Sequence, residues 1–285
     1  MSQNYADRTG KIAFQGTFGA FSDMSCRAMF PKMETVPCET FEDAFNALEK
    51  GDVDLAMIAV DNSLAGRVAD VHHLLPQKNL FIIGEHFQPI SMCLLGVKGT
   101  QISDIKDVYS HVHALPQCRK IIKELKLSPR IHADTAGAAA DIAKWNDTSK
   151  CAIASKLAAE IYGLDVLREG IQDIPNNTTR FLVLAREMER PTKGHGPVIT
   201  SLFFEVRNIP AALYKALGGF ATNGVQMTKL ESYIDPQFNV ARFYAEVLGH
   251  PDDRNLGIAL EELSFFAKDV KVFGGYPAHS FRNLK

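Results

Sequence analysis

Residues 187–198 carry Pro191, Lys193, Gly194, Gly196 and Pro197 with little apolar content, and the order of elements differs on the two sides of this stretch. An exposed connector between independently packed units has this composition. The 285 residues also suit two modest domains, at about 150 residues each. Each side can therefore be read alone.

Upstream of the connector, short apolar runs alternate with helical spacing. A run at 11–14 ends at Gly16 and leads through Gly19 and Ser22 into a helix expected over 23–30. Thr40 and Asp43 have capping-box spacing, Phe41, Phe45 and Leu48 share one face, and Gly51 stops that helix before a buried strand expected at 53–60. Strands are expected at 80–84 and 90–97, and a helix at 115–125 with Pro116 near its start. A helix at 136–145, a strand at 150–155, a helix stopped by Gly163 and a last strand at 181–185 complete this half. Such alternation predicts a parallel α/β sheet.

Downstream the order changes to strand (199–206), helix from Pro210 and strands at 225–232 and 241–248. A helix follows in which Leu256, Leu260, Leu263 and Phe266 share a face, then a strand at 270–273. This βαββαβ order predicts a ferredoxin-like sandwich, whose sheet edges commonly pair between subunits.

Lys and Arg total 31 against 33 Asp and Glu, a net charge of -2, with no basic stripe, so nucleic acid is not an expected partner. Five widely spaced cysteines without a C-x-x-C pair indicate neither a disulfide framework nor a zinc knuckle. No apolar run approaches the ~18 residues of a membrane helix and no apolar leader is present, so a cytoplasmic protein with no membrane partner is expected. Nine histidines include the neighbours His72 and His73 and the spaced His111 and His113. Neither pair has a carboxylate or cysteine partner at ligand spacing, and no metal is expected.

Three polar clusters could carry chemistry. In Asn176-Asn177-Thr178-Thr179-Arg180-Phe181 the amides and hydroxyls could simply satisfy a turn, with Arg180 in a structural ion pair. Alternatively, Arg180 holds a carboxylate in its fork and Thr179 offers a hydroxyl at the reacting centre. Residues 61–68, Asp-Asn-Ser-Leu-Ala-Gly-Arg-Val, end a buried strand in polar groups, as a helix cap or as a ligand site of an open α/β sheet. In residues 110–118, Ser110 could cap a helix while Gln117 projects from its first turn.

Taken in order, these segments resemble the prephenate dehydratase family. The family's G-P-x-G-[ST]-[YF]-S is similar to residues 16–22, its E-N-S-x-x-G-x-V to 61–68 and its S-H-P-Q-A-L-x-Q-C to 110–118. Its S-T-A-x-A-A is echoed at 134–139, and its T-R-F stands at Thr179-Arg180-Phe181. The chain departs from the pattern with Asp61 for Glu and with Val112-His113 for Pro-Gln.

The resemblance implies a monofunctional enzyme with a catalytic domain at 10–187 and an ACT regulatory domain at 198–285. The catalytic domain would have two lobes like a type II solute-binding protein, the second at about 88–171, with the site in the cleft. It implies decarboxylating dehydration of prephenate to phenylpyruvate in phenylalanine biosynthesis, without a cofactor. Thr179 would be catalytic, and Asn62, Ser110, Gln117, Arg180 and Phe181 would bind substrate. Phenylalanine would act as allosteric effector at Asn208, Ala211, Ala212, Leu213, Glu231 and Ser232. A homodimer or homotetramer through both domains is implied. An arogenate dehydratase of the same family, or a two-lobed module that only binds ligand, are the alternative readings.

Overall fold

The local signals act where the spacing puts them. In the computed structural model, which describes residues 5–194, 196–207, 209–234 and 240–282, Thr40 and Asp43 form a reciprocal capping box. The Asp43 amide donates to Thr40 Oγ1 (3.0 Å) and the Thr40 amide to Asp43 Oδ2 (3.1 Å). The chain divides into two compact units, Tyr5–Val71 with His86–Phe181, and His72–Glu85 with the described part of Leu182–Lys285. Among the described residues, no helix is long and apolar enough to cross a membrane.

The first half runs β1 (Gly10–Gln15), α1 (Phe21–Met29), β2 (Met33–Cys38), α2 (Phe41–Lys50), β3 (Leu55–Asn62), β4 (Gly66–Arg67), α3 (Ala69–Leu74) and β5 (Phe81–Pro89). It continues through β6 (Cys93–Gly96), β7 (Asp107–His111), α4 (Arg119–Glu124), β8 (Ser128–His132), α5 (Thr135–Trp145), β9 (Lys150–Ala154), α6 (Lys156–Tyr162), β10 (Asp165–Arg168) and β11 (Thr178–Ala185). One sheet has the order β2-β1-β3-β11-β5 with β4 on β3, and a second has β10-β6-β9-β7-β8. This is the two-lobed α/β arrangement.

The sheets are not purely parallel. β1 pairs parallel with β2 and β3, and β7 with β8 and β9, but β6 runs antiparallel to both β9 and β10. Antiparallel insertion of this kind depends on where a distant strand docks, which local spacing does not encode. The expected single helix at 115–125 is a 3₁₀ turn at Leu115–Gln117 followed by α4. The second lobe packs Ile90, Met92, Leu94, Val108, Leu115, Cys118, Ile121 and Ile153 into one apolar cluster.

The lobes clasp at the loop after β1. Tyr162 donates its hydroxyl to the Phe18 carbonyl (2.8 Å), Ser155 Oγ donates to the Gly19 carbonyl, and Thr17 Oγ1 donates to Asp134 Oδ2 (3.1 Å). Gly19 has φ +86°, and a Cβ there would lie 2.7 Å from the Ala158 Cα. Only glycine satisfies both the left-handed backbone and this approach.

The second half is β12 (Val198–Val206), α7 (Ala212–Thr222), β13 (Met227–Ile234), β14 (Val240–Leu248), α8 (Arg254–Phe266) and β15 (Ala267–Pro277). Its antiparallel sheet has the order β13-β14-β12-β15, the expected βαββαβ. Leu202, Phe204, Phe220, Leu256 and Leu263 are among its buried apolar residues. On the same unit, Glu85 and Glu246 are buried and share Arg282, whose Nε and Nη2 reach Glu85 (2.7 and 2.8 Å) while Nη2 also reaches Glu246 Oε2 (2.8 Å).

Candidate active site

Strand β11 alternates its side chains, as any strand must. Thr179 and Phe181 line a cavity of about 270 Å³ between the lobes, together with Asn62, Gln117 and Asn177. Arg180 falls on the other register. It is buried, its Nη1 lies 3.4 Å from Asp61 Oδ2, and its guanidinium carbon stands 5.8 Å from the centroid of the Phe87 ring. Neighbours 179 and 180 point to opposite faces of the strand, so Arg180 is not brought to the cavity lining with Thr179 and Phe181 and pairs with Asp61 instead.

Asn62 organises the polar wall. At the end of β3 its Oδ1 accepts the amides of Leu64 (3.0 Å) and Ala65 (2.8 Å), an Asx turn rather than a helix cap. That fixes Nδ2 as the side that donates, to Asn177 Oδ1 (2.7 Å) and Thr179 Oγ1 (2.9 Å). Asn177 Nδ2 then donates to Gln117 Oε1 (2.7 Å), and Gln117 Nε2 donates to the His113 carbonyl (2.8 Å). Every amide in the chain has its orientation determined by the Asx turn. Since Thr179 Oγ1 already accepts, its own proton is available to the cavity.

Asn177 spans the lobes. It is 2% exposed and its carbonyl also accepts the Ile90 amide (2.8 Å). Ser110 does not join it: the residue lies inside β7, fully buried, and its hydroxyl donates to the Ile153 carbonyl (2.6 Å). It stands in a strand rather than at a helix cap, off the cavity lining, and braces two strands of the second lobe.

The remaining walls are apolar, with Ile90, Met92, Phe181 and Ala59, or belong to the first turns of α1 and α5 through Phe21, Ser22 and Thr135. Asp134 caps α5 by accepting the Gly137 amide at Oδ1 (2.6 Å). His111 and His113 complete the lining, their ring centroids 5.1 Å apart. Burial, and next the His113 ring, hold His111 below the ordinary imidazole pKa, against an opposing pull from Asp134.

Sequence reasoning weighed the histidines as metal ligands and as part of, or a departure from, a motif, and Asp134 only as part of a motif. What marks them is the convergence of the end of β7 and the start of α5 on one cavity, which spacing does not reveal. Cys118, beside them in sequence, is fully buried with its thiol pushed up to about 12 by desolvation, which disfavours the thiolate a nucleophile needs. Among the described residues, no cluster of three or more metal-ligating side chains exists.

The expected effector residues fall on two elements of the βαββαβ half. Ala211 caps α7 at φ +59°, Ala212 is buried, and Leu213 packs on the core. Glu231 and Ser232 are neighbours on β13, with Lys229 Nζ 3.9 Å from Glu231 Oε1. Asn208 lies outside the described residues.

A family model described as prephenate dehydratase matches residues 12–189. A relative from Komagataeibacter europaeus, named a bifunctional N-acyl-homoserine lactone acylase/prephenate dehydratase, is 48% identical over 273 residues, 95% of this chain and 97% of that protein. The Arabidopsis thaliana arogenate dehydratase/prephenate dehydratase 1 is 39% identical over 95% of this chain and 73% of its own. The solved prephenate dehydratase of Arthrobacter aurescens, in complex with L-Phe, matches with a TM-score of 0.86 at 28% identity, over 94% of this chain and 90% of that one.

Proposed function

The chain belongs to the prephenate dehydratase family and is a lyase-type dehydratase, and from that premise we propose that its substrate is prephenate and its product phenylpyruvate. The reaction breaks the ring C–O bond and the bond to the ring carboxylate together. The electron pair of the C–COO⁻ bond becomes part of the ring π system as carbon dioxide departs, and the C–O bonding pair leaves with the hydroxyl, which takes one proton to become water. Aromatisation supplies the driving force, so the protein must orient the substrate, meet the leaving hydroxyl and exclude water.

The observation that carries this reading is the fixed amide chain that leaves the Thr179 proton free to donate into the cavity. Thr179 hydrogen-bonds the departing hydroxyl as negative charge grows on it. Asn177 and Gln117 hold the polar end of the substrate. The apolar wall of Ile90, Met92 and Phe181 disfavours charge on the carboxylate being lost, which favours its conversion to neutral carbon dioxide.

In the same reading, residues 10–187 are the catalytic domain, and 198–285 are an ACT domain through which phenylalanine regulates the enzyme. The βαββαβ order and the Arthrobacter enzyme solved with L-Phe support it, and the sheet edges would pair in a homodimer or homotetramer.

The test is to supply prephenate to the purified protein and follow phenylpyruvate, with arogenate, an N-acyl-homoserine lactone and added phenylalanine in parallel arms. Phenylpyruvate formation that responds to phenylalanine supports both halves. Turnover of arogenate alone moves the assignment to the sister reaction named for the Arabidopsis relative.

A further inference from the structure

The cavity has an unusual charge inventory for the substrate proposed above. Among the described residues that line it there is no lysine or arginine, while prephenate brings two carboxylates. Its titratable lining groups are Asp134, His111 and His113. The stretches from β1 into α1, from β3 into β4 and from β11 contribute only neutral side chains to the lining.

Two of the three cannot balance an anion. Asp134 is itself acidic and already accepts at both oxygens, from Gly137 and Thr17. His111 accepts the His113 amide at Nδ1 (3.3 Å), and a ring nitrogen that accepts carries no proton, so this contact favours neutral imidazole. His113 is exposed and lines the cavity, and its carbonyl rather than its ring anchors Gln117. It also stands where the family pattern has glutamine.

We propose that His113 is the substrate's counter-cation, taking up one proton from solvent as the substrate binds and pairing with the side-chain carboxylate. That carboxylate persists through the reaction. A cation on the departing ring carboxylate would instead stabilise the ground state and oppose decarboxylation. The same charge makes His113 a specificity residue, because it repels the ammonium group that replaces the ketone in arogenate. This inference rests on the prephenate reading.

The experiment is the pH dependence of KM for prephenate, in the wild-type protein and in His113→Gln and His113→Lys. In the wild type, KM should climb with pH above neutrality, towards about tenfold per pH unit, the limit for one bound proton. His113→Gln should give a flat KM, about tenfold higher at pH 6, with the loss on KM rather than kcat and a relative gain for arogenate. His113→Lys should restore a low KM that stays flat through pH 8. Binding calorimetry in buffers of different ionisation enthalpy should register one proton taken up by the wild type and none by either variant.

A flat wild-type KM with prephenate turned over overturns the inference and leaves the proposed function standing. So does a slope that survives in His113→Gln. No turnover of prephenate at all overturns the function, and the inference with it.

Discussion

The cleft and the C-terminal unit handle buried charge in opposite ways. Around Glu85 and Glu246 the protein supplies its own cation, Arg282, and adds Tyr244, whose hydroxyl lies 2.8 Å from Glu246 Oε1. The cleft cavity instead presents oriented amides, a hydroxyl, two histidines and Asp134, with no lysine or arginine among its described lining residues. Where no ligand arrives, two carboxylates taken from water must be matched within the fold. Where the ligand brings its own charge, a permanent cation would bind the ground state as firmly as the transition state, and neutral donors that respond to developing charge are more useful.

The sharpest break of that contrast is Arg282→Met. It leaves two fully buried carboxylates without their shared guanidinium, and a loss of about 3–5 kcal/mol in unfolding free energy is expected by denaturant titration. Glu85→Gln with Glu246→Gln in the same background should recover much of that loss, because neutral amides cost less to bury. Unchanged stability in Arg282→Met would contradict the reading that Arg282 is the cation matching these two carboxylates.

In the cleft, Asn177→Leu should lower kcat by roughly tenfold while changing unfolding free energy by only about 1–2 kcal/mol. It interrupts the amide chain between Asn62 and Gln117 yet leaves the Asx turn of Asn62 intact. Steady-state kinetics and thermal unfolding on one preparation separate the two effects.

A smaller effect follows from the histidines, which share a device across the two regions. His279 accepts the Phe281 amide at Nδ1, as His111 accepts the His113 amide, and burial is the first cause holding both below the ordinary imidazole pKa. The unfolded chain therefore binds more protons than the native one once pH falls below the ordinary value, about 6.5. Stability should rise with pH across that window and be lost as pH falls through the depressed native values. Denaturation midpoints at pH 5 and pH 7.5 measure the slope, and His279→Gln should reduce it.

The smallest change concerns α7. Ala211 holds φ +59°, which for an alanine costs about 1–2 kcal/mol relative to right-handed backbone. Glycine removes that strain but loosens the unfolded chain by about 0.5–1 kcal/mol. Ala211→Gly should therefore stabilise the C-terminal half by at most about 1.5 kcal/mol. A destabilised variant would show that the Ala211 methyl group makes a contact worth more than the strain.

How much of this could be read in advance depended on range. Caps, stops and apolar faces are local: Thr40 with Asp43, Gly51, Gly163 and the Leu256-to-Phe266 repeat needed only nearby residues, and each stands where spacing placed it. Strand β2, with Pro37 inside it, carries no clear local signal, because pairing with β1 supplies its order. Strand β6 falls within the strand expected at 90–97, but its antiparallel direction was not legible, for a similar reason.

In the site, Asn62, Gln117, Thr179 and Phe181 were legible from motifs and do meet at the cavity. Arg180 and Ser110 lie off the cavity lining because they sit inside strands the apolar pattern did not mark at those positions: β11 begins at Thr178 rather than Phe181, and β7, where no strand was expected, includes Ser110. Asn177 was visible only as one amide among several. Its bridge from Asn62 to Gln117 joins residues 115 and 60 positions apart.

The most direct test of the central claim, that the Thr179 hydroxyl donates to the leaving group, is kcat for phenylpyruvate formation in Thr179→Ser and Thr179→Val. Serine keeps the hydroxyl and should retain turnover within about tenfold. Valine keeps the shape, removes the donor and should lose at least ~10²-fold in kcat, with a far smaller change in KM. Near-normal turnover in Thr179→Val, with the fold intact, would contradict the account.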